Sequence, residues 1–72
     1  MDIEIQTMCK NIKKLRKTYK LSQVEMAKKL NIGVMSLSKI EKGILPPRLS
    51  TSVLIEIYFH FGSRPSDLFN ES

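Results

Sequence analysis

Residues 21–43, LSQVEMAKKLNIGVMSLSKIEKG, carry two short amphipathic helices separated by a three-residue turn. Ser22 and Glu25 stand in the spacing S-x-x-E, a capping box that satisfies orphan amides at the start of a helix. Behind it Val24, Met26, Ala27 and Leu30 form an apolar set, in which the small Ala27 lets a second helix approach closely. The turn is Asn31-Ile32-Gly33. Asn tolerates the left-handed backbone that follows a helix, and Ile32 can plug the corner. The next helix covers about residues 34–42 and stops at Gly43. With Leu37 at the centre of its apolar face, Ile40 and Ile44 share that face, and Val34 and Glu41 lie at its edge. Met35, Ser38, Lys39 and Lys42 point away. A pair built this way is a helix-turn-helix.

The flanking sequence supplies elements to hold the pair. Upstream, Ile5, Met8, Ile12, Leu15 and Tyr19 fall on one stripe of a helix over about 5–19, with Lys10, Lys13, Lys14 and Lys17 on the opposite face. Downstream, Pro46-Pro47 forbids helix and favours an extended loop. A fourth helix follows over about 50–61, with Val53, Leu54, Ile57, Tyr58 and Phe61 on one side, and Gly62 ends it. Pro65 opens a short fifth helix, about 65–69, whose Leu68 and Phe69 can close the core. Phe59 falls off the apolar stripe of the fourth helix. The expectation is a single all-α domain of five helices spanning residues 1–72.

The chain has 72 residues, 42% of them hydrophobic, and a formal net charge of +5. That size is near the lower limit for unaided folding. The single Cys9 and single His60 leave no disulfide and no zinc set, so no metal or cofactor is expected. A lone cysteine suits a reducing cytosol, no apolar run approaches a membrane span, and MDIEIQ lacks a signal-peptide pattern; the expected location is cytoplasmic. The charge is uneven. Residues 10–48 hold eleven of the twelve Lys and Arg against only Glu25 and Glu41, which gives +9. The remaining residues carry −4. A basic centre between mildly acidic ends suits a face that binds a polyanion.

The stretch LSQVEMAKKL…GVMSLSKIEKG resembles the Cro/phage-repressor (XRE-like) helix-turn-helix family. The matching features are Leu21-Ser22-Gln23, Glu25, Ala27, Leu30, Ile32, Ser36, Leu37 and the Lys-Ile-Glu-x-Gly ending at Gly43. Ile12-Lys13-Lys14-Leu15-Arg16 is similar to that family's first-helix signature, and Pro47 with FGSRPSDLF to its last two helices. The resemblance covers about residues 10–69 and implies a lambda-repressor-like fold. Four positions depart from the pattern: Asn31 replaces a usual Gly, Gly33 a usual Ser or Thr, and Val34-Met35 stand where polar, base-reading side chains are common; the linker and fourth helix are also about two residues longer.

The resemblance assigns Gln23 to a DNA phosphate, consistent with the free amides at a helix start. It makes outward positions of the second helix of the pair the reading positions, so Lys39 is expected to donate to guanine O6 or N7. Val34 and Met35 can pack on a thymine methyl; Ser36 and Ser38 can donate to phosphate or base. Lys42 and Arg48 are expected phosphate contacts, and Arg48 can also reach a narrow minor groove. Arg16 and Glu41 sit at the edges of apolar faces, where a lone charge is costly. The resemblance pairs them as a structural salt bridge.

The function expected is sequence-specific binding of double-stranded DNA by a transcriptional regulator of the repressor type. Such a protein binds as a two-fold dimer, here a weak homodimer using Phe59 and its C-terminal neighbours. A second reading is a protein-interaction module, antitoxin-like or partner-binding, in which Val34-Met35 faces a protein partner. No Ser/His/Asp set at catalytic spacing and no glycine-rich phosphate loop argues for an enzyme.

Overall fold

Three of the helices end by the same device, and it fixes their lengths. Lys20 (φ 56°), Asn31 (φ 58°) and Gly43 (φ 94°) each take the left-handed backbone. The following amide then reaches back five residues: Leu21 N to Arg16 O at 3.0 Å, Ile32 N to Ala27 O at 3.0 Å, and Ile44 N to Lys39 O at 2.9 Å. These bonds satisfy last-turn carbonyls and throw the chain into a new direction. Leu21 and Ile32, placed just past two of these stops, fold in against the core.

The computed structural model describes residues 3–45 and 50–70. The order is α1 (Ile3–Thr18), α2 (Gln23–Leu30), α3 (Val34–Glu41), α4 (Ser50–Phe61) and α5 (Pro65–Leu68). Among the described residues there is no strand. No helix among them is long and apolar enough to cross a membrane. α1 starts at Ile3, ahead of the expected Ile5, and α3 ends at Glu41, leaving Lys42 as its C-cap.

α2 begins with a complete capping box. Ser22 Oγ accepts from Glu25 N at 3.1 Å, and the Glu25 carboxylate accepts from Ser22 N at 2.8 Å. These hydrogen bonds hold the Glu25 carboxyl below its ordinary range. Ser22→Ala is expected to cost about 1 kcal/mol, seen as a melting point lower by roughly 4–8 °C in a thermal scan followed by circular dichroism.

α2 packs on α3 and α4, while α1 packs on α3 and α5. The core they enclose is Met8, Cys9 and Ile12 of α1, Met26, Ala27 and Leu30 of α2, Leu37 and Ile40 of α3, Val53 and Ile57 of α4, and Leu68 of α5. Burial in it pushes the Cys9 thiol pKa up. Asn11 of α1 donates through Nδ2 to Leu68 O at 2.6 Å and Asn70 O at 2.9 Å, tying the last turn back to the first helix.

Several apolar residues leave the core that periodicity placed them in. Val24, Ile44 and Tyr58 are exposed, as is much of Tyr19, whose ring packs on Phe61 at a centroid distance of 4.9 Å. Val24 occupies the first turn of α2. Tyr58 lies on an α4 that is apolar on almost every side, so only part of it can be covered. Phe69 is 39% exposed and stays outside the core, which Leu68 enters.

Candidate nucleic-acid interface

The orientation of α3 is set by a polar cluster at its base. Arg16 Nε donates to Glu41 Oε2 at 2.7 Å and Nη2 to Glu41 Oε1 at 3.0 Å, a two-point contact between α1 and α3. Arg16 Nη1 also donates to Leu21 O at 2.9 Å, so the same guanidinium holds the α1–α2 loop. The two side chains are only 13% and 4% exposed. Burial pushes the Glu41 carboxyl pKa up, but hydrogen bonds from Arg16 and Gln23, with the charges of Arg16 and Lys13, outweigh it and hold it below the usual range. The Arg16 guanidinium is pushed up in turn by its bond to Glu41.

Gln23 has a partner that the sequence did not suggest. Its Nε2 donates to Glu41 Oε1 at 3.2 Å, so the carboxamide is oriented within the cluster rather than standing free at the helix start. A carboxamide carries two N–H donors, and the second is not used by this bond.

Above the cluster α3 presents its outer side to solvent. Leu37 and Ile40 are fully buried, whereas Met35 is 74% and Val34 40% exposed. Lys39 and Lys42 are exposed; Ser36 and Ser38 are half-buried. The N-cap of α3 is Gly33, which has no side chain to cap it, so the leading amides are not covered by a capping group. A methyl built on Gly33 would meet nothing within 4 Å, so this end of the helix is open. Arg48 lies outside the described residues.

Two basic residues of α1 lie beside the end of α3. Lys10 and Lys13 of α1 line one groove with Gln6, Glu41, Lys42 and Gly43. The α1 lysine face therefore opens at one edge onto the C-terminal end of α3. The sequence shows the lysine face through its spacing, but which of its members neighbours Lys42 depends on how α1 crosses α3.

A helix-turn-helix family model matches residues 12–62. The chain belongs to the Cro/C1-type, XRE-like helix-turn-helix family. As a member it carries the DNA-binding domain of a helix-turn-helix regulator. No curated protein and no solved structure gives a significant match. The match takes in α2, α3, α4 and the C-terminal part of α1 from Ile12, and thus the Arg16–Glu41 pair, while Lys10 and α5 fall outside it. Two departures from the XRE-like pattern have a local physical account. Asn31 takes the left-handed geometry usually given to Gly, and Gly33 has the extended backbone of an N-cap (φ −72°, ψ 152°).

Proposed function

We propose that this XRE-like protein is a sequence-specific double-stranded DNA-binding transcriptional repressor whose α3 lies in the major groove. The observation that carries the reading is the two-sidedness of α3. Leu37, Ile40 and Glu41 are fixed from below, and Met35, Lys39 and Lys42 stand open on the other side. A rigidly seated helix with a free outer face is what base reading requires. Lys39 donates to a guanine edge, with Val34, Met35, Ser36 and Ser38 beside it. Lys42 and Arg48, with Lys10 and Lys13 across the groove, hold phosphates. Gln23 meets a phosphate through the N–H that Glu41 leaves unused, so the same side chain links register to helix orientation.

A single half-site gives limited discrimination, and two copies on a two-fold site supply the rest. The surface proposed for pairing is the outer side of α4, where Ile55, Tyr58 and Phe59 are exposed. Glu56 and His60 lie 3.8 Å apart on that helix, which carries no Lys or Arg. A basic protein meets another copy here without the repulsion it would face elsewhere. These side chains expose on the order of 400 Å² per copy, about half of a standard interface. Such a dimer is weak in solution and assembles on DNA.

Selection from a random oligonucleotide pool tests the reading. The expected product is an inverted repeat with half-sites about 10 base pairs apart. Lys39→Ala should relax preference at one position by roughly 5- to 150-fold. A pool that yields no enriched sequence overturns the proposal, and retained capture of a protein partner in that case would favour the interaction-module reading.

A further inference from the structure

We infer that this protein reads its site chiefly through pyrimidine 5-methyl groups, with Met35 as the contacting side chain and Val34 beside it. The inference rests on the DNA-binding reading and names the chemistry of its reading surface.

Between Val34 and Lys42 there is no Arg, Asn or Gln. Those residues make most of the two-point hydrogen bonds to guanine and adenine edges in the major groove. Lys39 is the one long donor within α3 itself, because Ser36 and Ser38 are short and half-buried. The leading end of α3, which lies deepest against base edges when such a helix docks, carries Val34 and Met35.

Folding does not account for the placement of Met35. Met35 is 74% exposed while Leu37 and Ile40 of the same helix are fully buried, so Met35 adds nothing to the core. The surroundings fix the class of partner. Lys39 and Lys42 stand on the same helix, and Lys10 and Lys13 share the adjoining groove with Lys42. An apolar leading end, with Lys39 and Lys42 following Met35 on the same stripe and Lys10 and Lys13 beside the far end, suits a surface that is apolar in spots and anionic at its border. The major groove of DNA is such a surface, because the thymine C5-methyl is the apolar group on its floor and phosphates line its walls. The open approach at Gly33 leaves room for the helix end to reach that floor. Methionine is unbranched and polarizable, so it can settle over a methyl without exact registry.

The methyl, and not the base pair as such, is then the recognised group. Thymine and 5-methylcytosine present it at the same place, whereas uracil and cytosine lack it. The test uses the intact chain and the operator selected from the pool, with deoxyuridine replacing thymidine at each contacted position. Binding is expected to weaken about fourfold per methyl, or about fifteen-fold when both half-sites are changed. In a parallel set the thymine pair is changed to cytosine·guanine or 5-methylcytosine·guanine, and the methylated form should bind more tightly by the same factor. The Val34→Ala, Met35→Ala double variant should bring both ratios close to one. Its melting point should stay within a few degrees of the parent, since both side chains are substantially exposed.

A parent protein indifferent to deoxyuridine on an operator it selects overturns this inference and leaves the DNA-binding reading intact. So do ratios that survive in the double variant. A pool with no enriched sequence overturns both, and a protein partner lost from the double variant in that case would assign Met35 to protein contact.

Discussion

Replacement of Glu41 by alanine is expected to lower the free energy of unfolding by about 3 kcal/mol, the low end of what breaking a buried ion pair costs. The carboxylate is 4% exposed and accepts from Arg16 twice and from Gln23 once. Its loss strands a guanidinium that is itself only 13% exposed and retains Leu21 O as its remaining acceptor. A domain of this length has a total stability on the order of 4–10 kcal/mol, so the variant retains little margin. The melting point should fall by roughly 12–24 °C, measured by thermal unfolding at pH 7. Glu41→Gln keeps the shape and part of the hydrogen bonding, and should lose less. Joint replacement, Arg16→Met with Glu41→Leu, removes both charges and should be far milder than Glu41→Ala alone. A Glu41→Ala loss below about 1 kcal/mol would show that the pair does not hold α3.

The same pair sets an acid dependence. The Glu41 carboxyl lies below its ordinary range in the folded chain. The stability it contributes is therefore complete above the unfolded pKa, about 4.3, and is lost as pH falls through the lower folded value. Glu41→Gln, which cannot titrate there, should narrow its gap from the parent as the solution is acidified below about pH 5.

How legible the fold was in the sequence depends on how local the deciding chemistry is. The Ser22–Glu25 box, the left-handed Asn31 and the stop at Gly43 each follow from a few adjacent residues. Arg16 and Glu41 could be found because each is a charge at the edge of an apolar face, and the family resemblance joined them. Val24 and Tyr58 were misplaced for different reasons. An eight-residue helix such as α2 has too few turns to fix the phase of its apolar stripe. α4 is apolar on nearly all sides, so its stripe has no clear edge. The bonds from Asn11 to Leu68 O and Asn70 O span 57 and 59 residues and have no local signature. Gln23 illustrates a subtler limit at the site: its position at a helix start pointed to phosphate, but the approach of α3 brought Glu41 within its reach.

Salt should weaken operator binding by roughly 10²–10³-fold between 50 and 200 mM, the largest effect expected of this protein. Each protomer has Lys42, Lys10, Lys13 and Arg48 as candidate cationic phosphate contacts, with Gln23 as a neutral one. Four neutralised phosphates give a log–log slope of about −3.6 per protomer at roughly 0.9 per phosphate. The basic centre of +9 supplies that attraction, and the −4 of the flanking residues does not cancel it at the reading face because screening confines each charge to about 10 Å at 0.1 M salt. Lys10 and Lys13 make the prediction specific. If the duplex backbone follows the groove they share with Lys42, Lys10→Gln and Lys13→Gln each reduce the slope by about 0.9 and weaken all sequences alike. Arg64→Gln, at the start of α5 and outside the basic centre, should leave the slope unchanged. Lys39→Ala should separate from both groups, because a base contact alters which sequence is preferred more than how steeply salt competes. Fluorescence anisotropy on the selected operator, titrated at four or five salt concentrations, measures all of these together. A slope near zero for the parent would remove phosphate binding, and with it the major-groove placement of α3, since a helix tip as apolar as Val34-Met35 has no other force to carry it to DNA.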